Sequence, residues 1–182
     1  MGKTLVPGAN VSLTRENPLL DEITIGFTWD VVQSNGPMPE LVPSVIMCDE
    51  NGKALSDDDF FFFNRLPEDG SVDIENGDDE QIDVTLSLIP EAIKKLVFIV
   101  FIDPDVRQPG SFKSVRSSSI KVLDRAGNSI TQFQIPDNTR SDVSVMVYGE
   151  LYRYKDEWKF RATGQGYTSG LVDVAKDYGV EL

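Results

Sequence analysis

LVFIVFI, residues 96–102, is an unbroken run of seven apolar side chains. A helix this short would not be apolar all round, so the run reads as a central β-strand buried on both faces. On either side the pattern changes to alternation. Ile82, Val84, Leu86 and Leu88 keep one face apolar over residues 82–88, and residues 117–123 and 129–135 read as two further strands around a turn at 124–128. The stretch between, PEAIKK at 90–95, reads as one or two helical turns opened by Pro90.

Earlier in the chain, EITIGFTWD at 22–30 alternates cleanly. Ile23, Ile25, Phe27 and Trp29 share its buried face, so Trp29 is expected in the core and Asp30 at a sheet rim. Residues 11–13, 42–48 and 59–64 are further strand candidates. Pro43 lies near the start of its strand, where a lost donor is tolerable, and DENG at 49–52 makes a tight turn. A long strand spans 143–154, another 158–163, and a short helix over 170–178 ends at Gly179. About ten strands with short turns and little helix give an all-β fold. The expected architecture is a two-sheet β-sandwich with one or two short helices, including a C-terminal one. There is no internal repeat and no low-complexity linker, so residues 1–182 read as a single domain.

The chain carries 30 acidic against 17 basic residues, a net charge of −13. That balance argues against nucleic acid, whose phosphates need a basic surface, and against anionic membrane. No apolar segment is long enough to insert into a bilayer and no signal peptide is evident, so a cytoplasmic protein is expected. Histidine is absent altogether. A Ser-His-Asp triad, a Cys-His dyad and a His-ligated zinc site are therefore impossible. The one cysteine, Cys48, lies in an apolar strand and reads as a buried structural thiol. The abundant carboxylate pairs single out no general acid and base, so no enzymatic activity is expected. The glycines of GQGY at 164–167 read as a tight turn after a strand, since no phosphate-loop context surrounds them.

The acid is concentrated. SDDDFFFFNRLPEDGSVDIENGDDEQID, residues 56–83, holds eleven carboxylates and one base, Arg65, around four consecutive phenylalanines. Phe60 to Phe63 read as a core strand between acidic loops. Crowded carboxylates either stay solvated or gather a hard cation with oxygen ligands. If the strand ends converge at one rim, Asp30, Asp57, Asp69 and the run Asn76-Gly77-Asp78-Asp79-Glu80 together offer enough oxygens for calcium.

Several of these segments resemble the tellurium-resistance TerD family of bacterial stress proteins. They are GANVSL (8–13), GFTWD (26–30), SDDDF (56–60), GDDE (77–80), VFIV (97–100), GELYR (149–153) and EWKFRATGQGY (157–167). The last two are the most specific, and the resemblance runs over nearly the whole chain. It implies a two-sheet sandwich that binds calcium through acidic loops, has no established catalytic activity and is associated with stress resistance. On this chain it implies Asp30, Asp57, Asp78, Asp79 and Glu80 as metal ligands, with Asn76 and Asp69 as secondary ones. Two departures set this chain apart. The acidic loop before GDDE is short, with Asp69 only nine positions from Asp78, and residues 40–44, ELVPS, lack the family's Asp-x-Asp. One metal site is therefore expected to be weakened or lost. The leading expectation is a calcium-binding module with protein partners in a cytoplasmic stress-response complex. The alternative is a metal-free scaffold whose acidic loops contact a partner protein.

Overall fold

The computed structural model describes residues 3–31, 41–62, 65–74, 81–102, 112–136 and 143–182. Among these residues the chain forms twelve strands and one α-helix. The strands are β1 (Lys3–Leu5), β2 (Asn10–Ser12), β3 (Glu22–Val31), β4 (Leu41–Cys48), β5 (Phe60–Phe61), β6 (Val72–Ile74), β7 (Gln81–Thr85), β8 (Lys95–Ile102), β9 (Val115–Asp124), β10 (Ser129–Gln134), β11 (Val145–Tyr154) and β12 (Glu157–Tyr167); the helix is α1 (Leu171–Asp177). They build two six-stranded sheets. The first runs β1-β10-β9-β3-β7-β6 and the second β2-β12-β11-β8-β4-β5. β1 and β10 pair in parallel, and the other pairs are antiparallel.

The sheets bury a shared core. Ile23, Ile25 and Phe27 of β3, Ile120 and Val122 of β9, and Leu96, Phe98 and Val100 of β8 all face it. Tyr148 is fully buried there, and its hydroxyl hydrogen-bonds the Ser118 hydroxyl, tying β11 of one sheet to β9 of the other. A buried phenol is stabilised when its hydroxyl finds such a partner.

The other face of the second sheet is also covered. Ile46, Phe60, Val97, Ile99, Val145 and Val147 form an outer apolar cluster with Val174, Ala175 and Val180. This is the physical reason for the continuous LVFIVFI run: one face of β8 meets the opposing sheet, the other meets α1 and the tail after it. α1 ends in a Schellman arrangement. Gly179 takes φ +81°, its N–H donates to Lys176 O and the Val180 N–H donates to Ala175 O. Further bonds hold the tail down: Ala54 N–H to Tyr178 O at 2.7 Å, Lys53 Nζ to Asp177 O, and Glu181 N–H to Asp57 Oδ1.

Several expectations need correction. β1 and β6, three residues each, are the edges of the first sheet and are too short to show a period. Of residues 59–64 only Phe60 and Phe61 join the ladder; Asp59 belongs to a 3₁₀ turn, Asp57–Asp59, and residues 63–64 lie outside the described residues. β7 ends at Thr85 and passes into a 3₁₀ turn, Leu86–Leu88. Residues 90–94 form no helix but a single turn closed by the Ile93 N–H to Pro90 O bond, and the Arg153 guanidinium also donates to the carbonyls of Ile89, Pro90 and Ile93. GQGY is not a turn after a strand but the end of β12. Thr163 and Gly164 stand opposite the single residue Tyr148, and Gly164 takes φ +66° in this bulge. Trp29 is half-buried at the end of its strand against Phe27, whereas Trp158 is the buried tryptophan.

Candidate functional site

The strand registers define two rims. β3 ends beside the start of β9 (Val31 opposite Val115), β8 ends beside the start of β4 (Ile102 opposite Leu41), and β12 ends beside the start of β11 (Tyr167 opposite Val145). β6 also ends, and β7 begins, toward this upper rim (Ile74 opposite Ile82). The chain leaves and re-enters the sandwich at the upper rim on either side of residues 32–40, 103–111 and 137–142, and lower on the same side, opposite Gly26 of β3, on either side of residues 75–80. Asp30 sits at the upper rim, as expected. Arg116, its neighbour across the β3–β9 pair, donates to its Oδ2 through Nε at 2.8 Å and also through Nη2. Both side chains are largely exposed, so this ion pair adds little stability.

Two other expected ligands lie elsewhere. Asp57 precedes β5, whose Phe60 pairs with Ile46 near the end of β4, and this places it toward the lower rim. Its Oδ1 accepts from the Glu181 N–H at 2.9 Å. The neighbouring acids are likewise occupied. The Ser56 Oγ accepts from the Asp58 N–H, Asp59 Oδ2 accepts from the N–H groups of Leu55 and Ser56, and Asp58 pairs with Arg65. The Asp57–Asp59 run is thus a capping device for a turn. Asp69 also belongs to the lower rim, just before β6, and its Oδ1 accepts from the Ser71 N–H at 2.8 Å. The described residues therefore do not bring Asp30, Asp57 and Asp69 into one cage. Among the described residues no three Asp, Glu or Cys side chains are grouped to hold a metal ion. Asn76, Asp78, Asp79 and Glu80 lie outside the described residues.

The sequence reading assigned no role to Glu150, the charged residue in the otherwise apolar first part of β11. It is 9% exposed on the outer face of the second sheet, with Lys95 Nζ 3.4 Å from Oε2 and Arg161 Nη1 3.4 Å from Oε1. A carboxylate desolvated this far needs such partners. Close by, Cys48 is buried under α1, and desolvation pushes its thiol up to about 12. Its burial is as expected, and with no histidine in the chain to accept its proton the thiol is favoured in its protonated form. Burial also raises the Tyr178 hydroxyl well above its ordinary value, with Tyr167 and Glu150 adding to the effect. The outward signal was one Glu in VMVYGELYRY; nothing in that string names its two cations.

No helix among the described residues is long and apolar enough to cross a membrane. The TerD domain family model matches residues 1–178. The chain is 33% identical to "Tellurium resistance protein TerD" of Serratia marcescens, covering 99% of this chain and 98% of that one. It is 31% identical to "General stress protein 16U" of Bacillus subtilis (strain 168), covering 98% of each. The fold is similar to the crystal structure of a homologue of telluride resistance protein (TerD) from Streptomyces coelicolor A3(2). That likeness has TM-score 0.68 and 15% identity over 86% of this chain and 95% of that one. With a family model matched over almost its full length and curated relatives above 30% identity end to end, the chain belongs to the TerD domain family.

Proposed function

We propose that this chain is a non-enzymatic, calcium-binding stress-response protein of the cytoplasm, acting with protein partners in a stress-response complex. One observation supports the metal reading above others. β7 begins opposite Gly26, four residues below Asp30 on the neighbouring strand β3, and β6 ends beside it, so the sequence run Asn76, Asp78, Asp79 and Glu80 is tethered at both ends on Asp30's side of the first sheet. The donor set is all oxygen, with no histidine in the chain, which suits a hard cation and not a transition metal. In this reading the ligands are Asp78, Asp79 and Glu80, helped by Asn76 and Asp30. Asp57 and Asp69 are excluded, because their carboxylates serve backbone N–H groups at the other rim. Bound calcium would neutralise the crowded carboxylates and so favour the folded chain.

Thermal unfolding with calcium or a chelator tests this. At a hundredfold excess over the dissociation constant, linkage contributes about 2.7 kcal/mol. For a domain of this size the midpoint then rises on the order of 5 to 10 °C. Asp78→Ala with Asp79→Ala should abolish the rise, while Asp57→Asn and Asp69→Asn should keep it. No shift in millimolar calcium would remove the metal reading and leave the metal-free scaffold in its place.

A further inference from the structure

The outer face of the second sheet is divided in two. α1 and the tail cover its apolar half. The other half, beyond Glu150, is formed by the lower parts of β11 and β12 and has no such cover among the described residues. Leu151 and Phe160 point into the core, so Tyr152, Tyr154, Lys159 and Arg161 alternate outward. Arg161 lies over the Tyr152 ring at 5.0 Å. Lys159 and Lys155 lie at 4.9 and 5.5 Å from the Tyr154 ring centre. Of the carboxylates nearby, Glu150 is held by Lys95 and Arg161 and Glu157 by Arg15, while Asp156 stands exposed in the turn beside Lys155. On a chain of net charge −13 the five cations Arg15, Lys95, Lys155, Lys159 and Arg161 still outnumber these three carboxylates, and Lys155, Lys159 and Arg161 are held in place by aromatic rings.

A second observation singles out Lys155. It is the one non-glycine among the described residues with positive φ, at +56° in the β11–β12 turn. Gly or Asn suits that backbone better, so the lysine sits there against local conformational preference.

We propose that this face docks an extended acidic segment of a protein partner. Lys159 and Arg161 are two residues apart on one strand, about 6.6 Å. An extended peptide repeats its side chains at that same interval, so carboxylates at alternate positions fall in register with Lys159 and with Arg161, whose side chain stays 45% exposed beside its pair with Glu150. The proposal is independent of calcium and of the upper rim.

The net charge gives the binding a distinctive salt dependence. Repulsion between two anionic chains acts over the Debye length, about 30 Å at 0.01 M salt and about 8 Å at 0.15 M. Contact pairs survive at the second condition and fade near 1 M. Affinity should therefore peak at intermediate salt.

The test uses the full chain in chelator and a labelled, end-blocked peptide of six Glu-Thr repeats, with a Gln-Thr peptide as control. Fluorescence anisotropy should show Glu-Thr binding that is weaker at both 10 mM and 1 M salt. Lys155→Gly with Lys159→Gln should weaken it at least fivefold. Lys155→Gly alone should also weaken it while melting at or above the parent's temperature, which a purely structural role for the lysine would not produce. Equal binding of the Gln-Thr peptide, unchanged affinity in the double variant, or equal or tighter binding of a thymidine oligonucleotide or phosphatidylserine vesicles would overturn the proposal.

Discussion

Raising the pH should destabilise this protein through Cys48, and the size of the effect can be worked from its surroundings. The thiol is fully buried beneath α1, and its weak hydrogen bond runs to Ile46 O at 3.9 Å. Burial raises its pKa from 9.0 to about 12; Lys95 opposes this, and Asp49, Glu150 and Asp59 reinforce it. The unfolded chain therefore loses this proton near pH 9, while the folded chain keeps it until about pH 12. The unfolded state binds fewer protons throughout that window, so stability present below pH 9 falls as pH rises. Between pH 9 and 10 the loss is about 1 kcal/mol, and across the window it is on the order of 4 kcal/mol. Tyr178 and Tyr167 are also raised by burial from their ordinary value of 10.0, so they add to the loss mainly above pH 10. Both tyrosines are present in the parent and in Cys48→Ala, so the difference between the two proteins isolates the cysteine. Denaturant unfolding between about pH 9 and 10 should show the parent losing more stability than Cys48→Ala, by about 1 kcal/mol. The alanine variant should be weaker at every pH, since it loses buried volume. Parallel pH profiles for the two proteins would refute the reasoning. So would maleimide labelling of the native thiol at pH 9 as fast as a free thiol.

Two further substitutions probe the packing that sets the sheet's shape. A Cβ on Gly149 would lie 2.5 Å from Phe160 Cζ and 2.8 Å from Arg161 O, so Gly149→Ala should cost about 2 to 3 kcal/mol by urea denaturation; a loss under about 0.5 kcal/mol would mean the bulge yields freely. Arg153→Lys removes a fork that donates to Ile93 O at 2.9 Å and Ile89 O at 3.1 Å and lies 4.3 Å over Trp158. It should cost about 2 kcal/mol, and an unchanged midpoint would show that residues 89–93 find other donors.

The sandwich was legible because its signals are local. Alternation in EITIGFTWD fixes one buried face, and LVFIVFI can be a strand only if both faces are covered. The helix stop at Gly179 was equally plain, since the backbone there takes a left-handed conformation. What failed was local chemistry with two possible uses. Gly164 signalled a break in the chain, but neighbouring β11 turned the break into a bulge within β12. Pro90 signalled a helix start, but the chain makes only one turn there, and Arg153, sixty-three residues later, donates to the Pro90 carbonyl that closes it.

The site divides along the same line. Sequence alone determined that this chain holds hard oxygen donors without a histidine, because donor chemistry belongs to residue types. It could not say which carboxylates share a rim. Asp30 and Asp57 both flank strands and look equivalent in the string, yet strand order and direction send one to the upper rim and the other to the lower, where it holds the Glu181 N–H. Nor could it show that Glu150 is buried between Lys95 and Arg161, or that α1 covers only half of a sheet and leaves Tyr152, Tyr154, Lys159 and Arg161 facing outward. Those facts depend on register between residues far apart in the chain, and register is set by the packing of whole sheets.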